Sequence, residues 1–381
     1  MSARPVLHPD RVLDSLVIGA GQAGLSASHH LLRLDIDHVV LDANDAAGGA
    51  WQHRWDALTM ADVHGVAELP GTDKTATTPR ERANVAVPRY FGAYETGFGL
   101  PVVRPATVVA VTRSADGFLV EARLPSGRVQ LRARTLVNAT GTWTRPFVPS
   151  YPGQASFAGT QLHTRDFPGP EFFEGRRTVV VGGGASAVQF LGLLAPRVGA
   201  ENLVWTTRRE PVWLDQEFTP ELGSRVVAKV SERARAGLPT RSVVSYTGLF
   251  LREQEQQAAA LGVYAARRPM FSRIEPDGVR WHQPRPGAPV FEAVDVILWA
   301  TGFRAAVDHL AGLRLRSARG GIQLADDETT AVADPRVQLV GYGPSASTIG
   351  ANRAGRRAAL GVRRALQQAD LQQPDQRRLS A

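Results

Sequence analysis

The chain twice places an apolar strand directly before a turn spaced by small residues and then a helix, and few folds accommodate that series twice. The first unit runs from Ser15 to Gly24, with Gly19, Gly21 and Gly24 in G-x-G-x-x-G spacing, and is expected to continue as a helix from Leu25 to Leu34. Gly19 permits the tight turn, Gly21 leaves the backbone open to a pyrophosphate, and Gly24 lets the helix pack close on the strand. The helix start presents free N–H groups to phosphate oxygens. A second strand, His38 to Asp42, ends in a carboxylate suited to accept hydrogen bonds from a ribose diol.

The second unit, Arg177 to Ala187, repeats the pattern as G-x-G-x-x-A with Gly182, Gly184 and Ala187, and Ser186 inside the turn. A helical stretch from Val188 to Leu194 and a strand from Asn202 to Trp205 follow. Where the first unit has Asp42, this one continues Thr206, Thr207, Arg208, Arg209. A carboxylate at that position repels a 2′-phosphate, whereas arginine pairs with it. Two dinucleotide units in one chain suit electron transfer between two cofactors: FAD is expected in the first unit and NADPH in the second.

The fold expected is α/β, with two Rossmann-like dinucleotide-binding domains and the NADPH domain inserted into the FAD domain. The strands Thr135–Gly141 and Val296–Phe303 each carry Ala-Thr-Gly, so Thr140 and Gly141, and Thr301 and Gly302, are candidate cofactor neighbours. The prolines between 146 and 152 read as a linker. Residues 1–150 are therefore expected to form the first part of the FAD domain, 151–295 the NADPH domain, and 296–381 the returning part. That last part holds a strand from Val337 to Gly341, a loop in which Gly343, Ser347 and Thr348 offer backbone amides to a flavin, and a helix from about Ile349 to Ala369.

Composition removes several classes. There is no cysteine, which excludes disulfides, thiolate metal sites, iron–sulfur clusters and dithiol redox chemistry; no metal site is expected. The net charge is +8, but the lysines are only Lys74 and Lys229 and the arginines are scattered, so no nucleic-acid stripe forms. Residues 1–11 lack a secretory pattern and no apolar run approaches the ~18 residues of a membrane span. A cytoplasmic protein that binds neither nucleic acid nor membrane is expected.

Between the two units lies Phe157 to Phe167, which matches F-x-G-x-x-x-H-x-x-x-(F/Y) through Phe157, Gly159, His163 and Phe167. With Gly48-Gly49-Ala50-Trp51, Trp55, Leu69-Pro70-Gly71, the two Ala-Thr-Gly strands and Ser345 to Gly350, the chain resembles a class B flavoprotein monooxygenase. Within that class it is similar to the bacterial flavin-containing monooxygenases related to the plant auxin-forming enzymes, over roughly residues 12 to 368. The resemblance implies reduction of FAD by NADPH, capture of O2 as a C4a-hydroperoxide, and oxygenation of a small organic substrate at nitrogen, sulfur or carbon; a homodimer is a separate expectation. It also implies flavin contacts from Gly49 and Trp51, and assigns the His163 motif to coupling cofactor binding with geometry. One departure stands out. Many relatives carry an asparagine after the Gly-Gly-x-Trp segment that steadies the oxygenated flavin, whereas residues 59–65 here offer only Asp62 and His64, which with His163 are the catalytic candidates. Two other readings use the same units: a flavoprotein reductase that passes electrons to a small redox protein, and a non-catalytic nucleotide sensor.

Overall fold

A computed structural model of the chain describes Leu7 and residues 11–63, 66–73, 77–213, 220–240, 248–249, 251, 253–284, 286–346 and 348–379. In chain order the first elements are β1 (Val12–Ile18), α1 (Gln22–Leu32), β2 (His38–Leu41), α2 (Ala83–Phe98), β3 (Val102–Val103), β4 (Thr107–Ser114), β5 (Gly117–Leu124), β6 (Gly127–Asn138) and β7 (Thr160–His163). There follow β8 (Thr178–Val181), α3 (Ala185–Val198), β9 (Leu203–Thr207), α4 (Pro220–Arg235), α5 (Glu253–Ala260), β10 (Arg268–Pro269), β11 (Arg273–Glu275), β12 (Gly278–Arg280), β13 (Phe291–Ala293), β14 (Val296–Trp299), β15 (Val337–Leu339) and α6 (Thr348–Leu379).

The chain forms two compact units, one of Met1–Thr142, Ser224–Val243 and Ala305–Ala381, the other of Trp143–Gly223 and Val244–Arg304. In the first, seven strands run β3-β2-β1-β6-β5-β4, with β15 also against β6. β1, β2, β3, β6 and β15 are parallel, while β4, β5 and the first half of β6 form an antiparallel meander. The second half of β6 lies between β1 and β15, so Leu136 and Val137 are fully buried. A strand covered on both faces reads as an unbroken apolar run, which is why β1 and β6 each carry Leu-Val just before their last residue. α1 packs on α6 so closely that a Cβ on Gly355 would lie 2.3 Å from Ser26 Oγ.

In the second unit five parallel strands run β10-β9-β8-β14-β7, and β11-β12-β13 form a separate antiparallel sheet. Its core joins Phe157, Val179, Val204, Phe271, Trp281 and Trp299. β14 was expected to open the returning part of the first domain, yet it is paired on both edges, by β7 and β8, and belongs to this sheet. The return begins instead at Ala305, and the outward crossing comes at Trp143 rather than after residue 150. Residues 224–243, expected inside the NADPH domain, join the first unit, where Ala234 is buried with Leu310, Leu324 and Tyr342.

Candidate active site

The two glycine turns are built alike. In the first unit Gly19 has φ +100°, and a Cβ there would meet the Ala139 carbonyl oxygen at 2.7 Å; Gly24 is tighter still, with Gly19 O at 1.9 Å. In the second unit Gly182 has φ +145°, and its Cβ would meet the Ala300 carbonyl oxygen at 2.2 Å. Each Ala-Thr-Gly strand thus presses its alanine carbonyl against the first glycine of its own turn, and both glycines are required by conformation and by space. The middle glycines differ. A Cβ on Gly21 or Gly184 would meet nothing within 4 Å, and neither would one on Gly141 or Gly302.

Gly21 and Gly184 are also the N-caps of α1 and α3, so neither N-cap brings a side chain to its helix start. The helix N-termini thus open beside space that a side chain would fill. That combination fits a pyrophosphate in both turns. Ser186 and Ala187 lie in the first turn of α3.

Around the first turn, Gly49 lies so close that its Cβ would sit 2.8 Å from Gly21 Cα, while Gly48 abuts Pro88 of α2. Trp51 is half-buried, with the Arg54 guanidinium over its ring. Gly341, in the turn after β15, has φ +67°, and a Cβ there would lie 3.8 Å from Gly141 Cα and from Ala23 Cβ. Tyr342 then accepts the Ile322 N–H through its hydroxyl at 2.9 Å, and Ser345 Oγ closes back on the Tyr342 backbone, so Gly343 sits in a fixed turn. Thr140 Oγ1 donates to the Ala306 carbonyl, and His309 Nε2 bonds Asn138 Oδ1 at 2.7 Å. Burial lowers the His309 pKa to about 4, so this ring is neutral and donates.

Asp42 directly follows β2 in a buried position. Its Oδ1 accepts from Asn44 Nδ2 at 3.1 Å and its Oδ2 from Arg104 Nε at 2.9 Å. Arg104 also grips Glu95 through two hydrogen bonds of 2.6 Å. Burial raises the Glu95 pKa and the arginine opposes that rise. Neither Arg104 nor Glu95 stood out in the sequence, because no motif links them to Asp42.

In the second unit Thr206 and Thr207 complete β9 and are buried, while Arg208 and Arg209 emerge exposed. Gly183 faces this corner: its Cβ would lie 3.6 Å from Thr207 Cβ. Thr207 Oγ1 donates to the Arg209 carbonyl at 2.6 Å and accepts from Arg267 Nη1 at 2.9 Å. Arg267 is a second residue that the sequence did not single out. The pairing of β10 with β9 carries it there, Arg268 opposite Thr206 and Pro269 opposite Thr207.

The Phe157 to Phe167 segment serves packing. Phe157 is in the core, and a Cβ on Gly159 would strike its ring at 2.5 Å and the Asp295 carbonyl at 2.4 Å. Phe167 stacks on Phe173 and meets Phe190. His163 is buried; its Nδ1 accepts the Arg165 N–H at 3.1 Å, so its Nε2 carries the proton and donates to the Gly302 carbonyl at 3.0 Å. Burial lowers its pKa, so the ring stays neutral. With both nitrogens engaged, His163 pins the turn after Thr301, whose hydroxyl donates to the Phe147 carbonyl. Proton transfer, the role that would make His163 catalytic, would require breaking one of those bonds. Asp62 accepts from Thr59 N and Oγ1, at 3.2 and 2.7 Å, closing a local turn. His64 and Ser347 lie outside the described residues, and of Thr348 only its place at the start of α6 is described. The described residues contain no group of three or more His, Cys, Asp or Glu fit to hold a metal, and no described helix is long and apolar enough to cross a membrane.

Comparison with known proteins agrees with this architecture. Residues 16–341 match the family model described as pyridine nucleotide-disulphide oxidoreductase. The solved flavin-containing monooxygenase from Stenotrophomonas maltophilia is 34% identical, with a TM-score of 0.76 over 92% of this chain and 98% of that one. Indole-3-pyruvate monooxygenase YUCCA1 from Oryza sativa subsp. japonica is 34% identical over 182 residues, 47% of this chain and 44% of that protein. The chain thus spans about half the length of the curated relatives it matches. Bacillithiol disulfide reductase from Bacillus cereus, 16% identical with a TM-score of 0.66, shares the fold.

Proposed function

The chain belongs to the pyridine nucleotide-disulphide oxidoreductase family and, within it, to the class B flavoprotein monooxygenases; from that premise we propose that it is an NADPH- and FAD-dependent monooxygenase that oxygenates a small organic substrate with O2. The observation that carries the reading is the doubled turn. Each unit begins a helix at an N-cap glycine with open space beside it, and the strand that follows leads into a carboxylate in one unit and into arginines in the other.

In this reading the α1 N–H groups and Gly21 hold the FAD pyrophosphate, and Asp42 accepts from its ribose. The α3 N–H groups and Gly184 hold the NADPH pyrophosphate, and Arg208 and Arg209 pair with its 2′-phosphate. Bound in the first unit, the flavin supplies the hydride-accepting and oxygen-activating chemistry. The chain supplies position. Neutral His163 fixes the Gly302 turn without taking part in proton transfer, and Asp62 fixes the turn where relatives place an asparagine.

The test is product analysis. Purified flavin-loaded protein is incubated with NADPH, 18O2 and a panel of amines, thioethers and indolic acids, and the products are weighed by mass spectrometry. Incorporation of one labelled oxygen supports the proposal. NADPH oxidation that passes electrons to a protein acceptor, with no labelled product from the panel, replaces it with the reductase reading.

A further inference from the structure

The corner that follows β9 contains an ion pair of unequal partners. Arg267 is held in place: its side chain is 10% exposed and its Nη1 is committed to Thr207 Oγ1. Its Nη2 donates to Glu210 Oε1 at 2.7 Å, on a side chain that is 76% exposed. Glu210 directly follows the exposed Arg208 and Arg209 and is the carboxylate nearest to them in sequence. The glycine turn faces the same corner through Gly183.

We propose that Glu210 is a built-in stand-in for the 2′-phosphate of NADPH: its carboxylate occupies the outward nitrogen of Arg267, and nucleotide binding exchanges that carboxylate for the phosphate. The inference rests on the NADPH reading above and adds to it a buried phosphate ligand, Arg267, and a competing anion. Three observations support the exchange. The arginine cannot follow its partner out, because Thr207 and the surrounding core hold it. The glutamate can leave, because water covers most of it. The anion that replaces it carries more charge and, with Arg208 and Arg209 leading into the same corner, finds further guanidinium groups to pair with, which favours the phosphate over the carboxylate. The Thr207 hydroxyl ties this switch to the loop, since it accepts from Arg267 while donating to the Arg209 carbonyl. NADH, with a ribose hydroxyl at this position, has nothing to exchange for the carboxylate, so the device acts on the phosphorylated nucleotide alone.

The experiment titrates oxidised, FAD-loaded protein with NADP+ and with NAD+, following the flavin absorbance or the heat of binding. Glu210→Gln is expected to tighten NADP+ about twofold to fivefold, the scale of an exposed ion pair, and to leave NAD+ unchanged. Arg267→Gln is expected to weaken NADP+ about tenfold or more, as for a charged hydrogen bond, with unchanged NAD+ binding reporting an intact unit. Arg267→Lys, which keeps the charge and loses the fork, falls between. The double variant Glu210→Gln, Arg267→Gln is expected to bind NADP+ like Arg267→Gln alone, since the competitor matters only while the arginine is present. A gain that persists without Arg267, or that extends equally to NAD+, overturns the exchange and leaves a general charge effect. If neither the unmodified protein nor Glu210→Gln prefers NADP+, the cofactor reading fails and the exchange with it. If the preference is present but insensitive to Glu210, the exchange alone fails.

Discussion

Arg104 Nε donates to Asp42 Oδ2 at 2.9 Å, so the acid proposed to meet the ribose is already charge-paired and fixed in direction. The same guanidinium holds Glu95 of α2, and the side chains of Arg104, Asp42 and Glu95 are only 13%, 5% and 12% exposed. One cation thus keeps two carboxylates tolerable in one poorly hydrated place, and its loss removes the charge partner that both share.

Arg104→Leu is therefore expected to lower stability by roughly 3 kcal/mol, the scale of a buried ion pair broken on one side. Flavin content should fall with it. Chemical denaturation together with the flavin-to-protein absorbance ratio checks this; an unchanged unfolding midpoint would mean that the carboxylates rehydrate without the arginine.

Gly21 and Gly24 separate ligand binding from folding. A Cβ on Gly21 meets no protein atom within 4 Å, whereas one on Gly24 meets the Gly19 carbonyl oxygen at 1.9 Å. Gly21→Val is expected to give folded protein without FAD, and Gly24→Ala to destabilise the first unit itself. Circular dichroism melts alongside flavin content distinguish the two. Full flavin retention by Gly21→Val would overturn the site assignment.

Replacing both Arg208 and Arg209 by alanine is expected to raise the KM for NADPH by tenfold or more, since each charged hydrogen bond contributes about 1.5–3 kcal/mol. NADH oxidation should be nearly unaffected. Steady-state rates with both nucleotides decide it, and equal losses with both would move the phosphate reader elsewhere.

His309 gives a pH dependence. Burial lowers its pKa from 6.5 to about 4, so the unfolded chain binds a proton there before the folded protein does. The stability is fully present above pH 6.5 and is lost as pH falls toward 4. The loss is on the order of 2 kcal/mol once partial exposure is discounted. Thermal midpoints measured from pH 7 to 4 should fall less steeply in His309→Gln than in the unmodified protein. His30, lowered to about 4 by burial and by neighbouring positive charge, adds a loss of the same sign in the same window.

The sequence alone determined what depends on neighbours along the chain. Gly19, Gly21 and Gly24, and Gly182, Gly184 and Ala187, are legible because a strand, a turn and a helix start lie within ten residues of one another, and the turn imposes its glycines wherever it occurs. Asp42, Arg208 and Arg209 follow from the same local order, as does the absence of cysteine chemistry. Tertiary structure decided what crosses the sheets. Arg104 reaches Asp42 through β3, and Arg267 reaches Thr207 through β10, each a strand of two residues with no pattern to announce it. β14 was misplaced for a related reason: an apolar run such as Val-Ile-Leu-Trp suits the middle of either sheet equally, and only its pairing with β7 and β8 selects one. His163 looked chemical by residue type; the Arg165 amide and the Gly302 carbonyl, the latter 139 positions away, turn it into a neutral pin. Local turns are specified by the conformations that a few residues allow, whereas these contacts depend on which distant strands bury their apolar faces together.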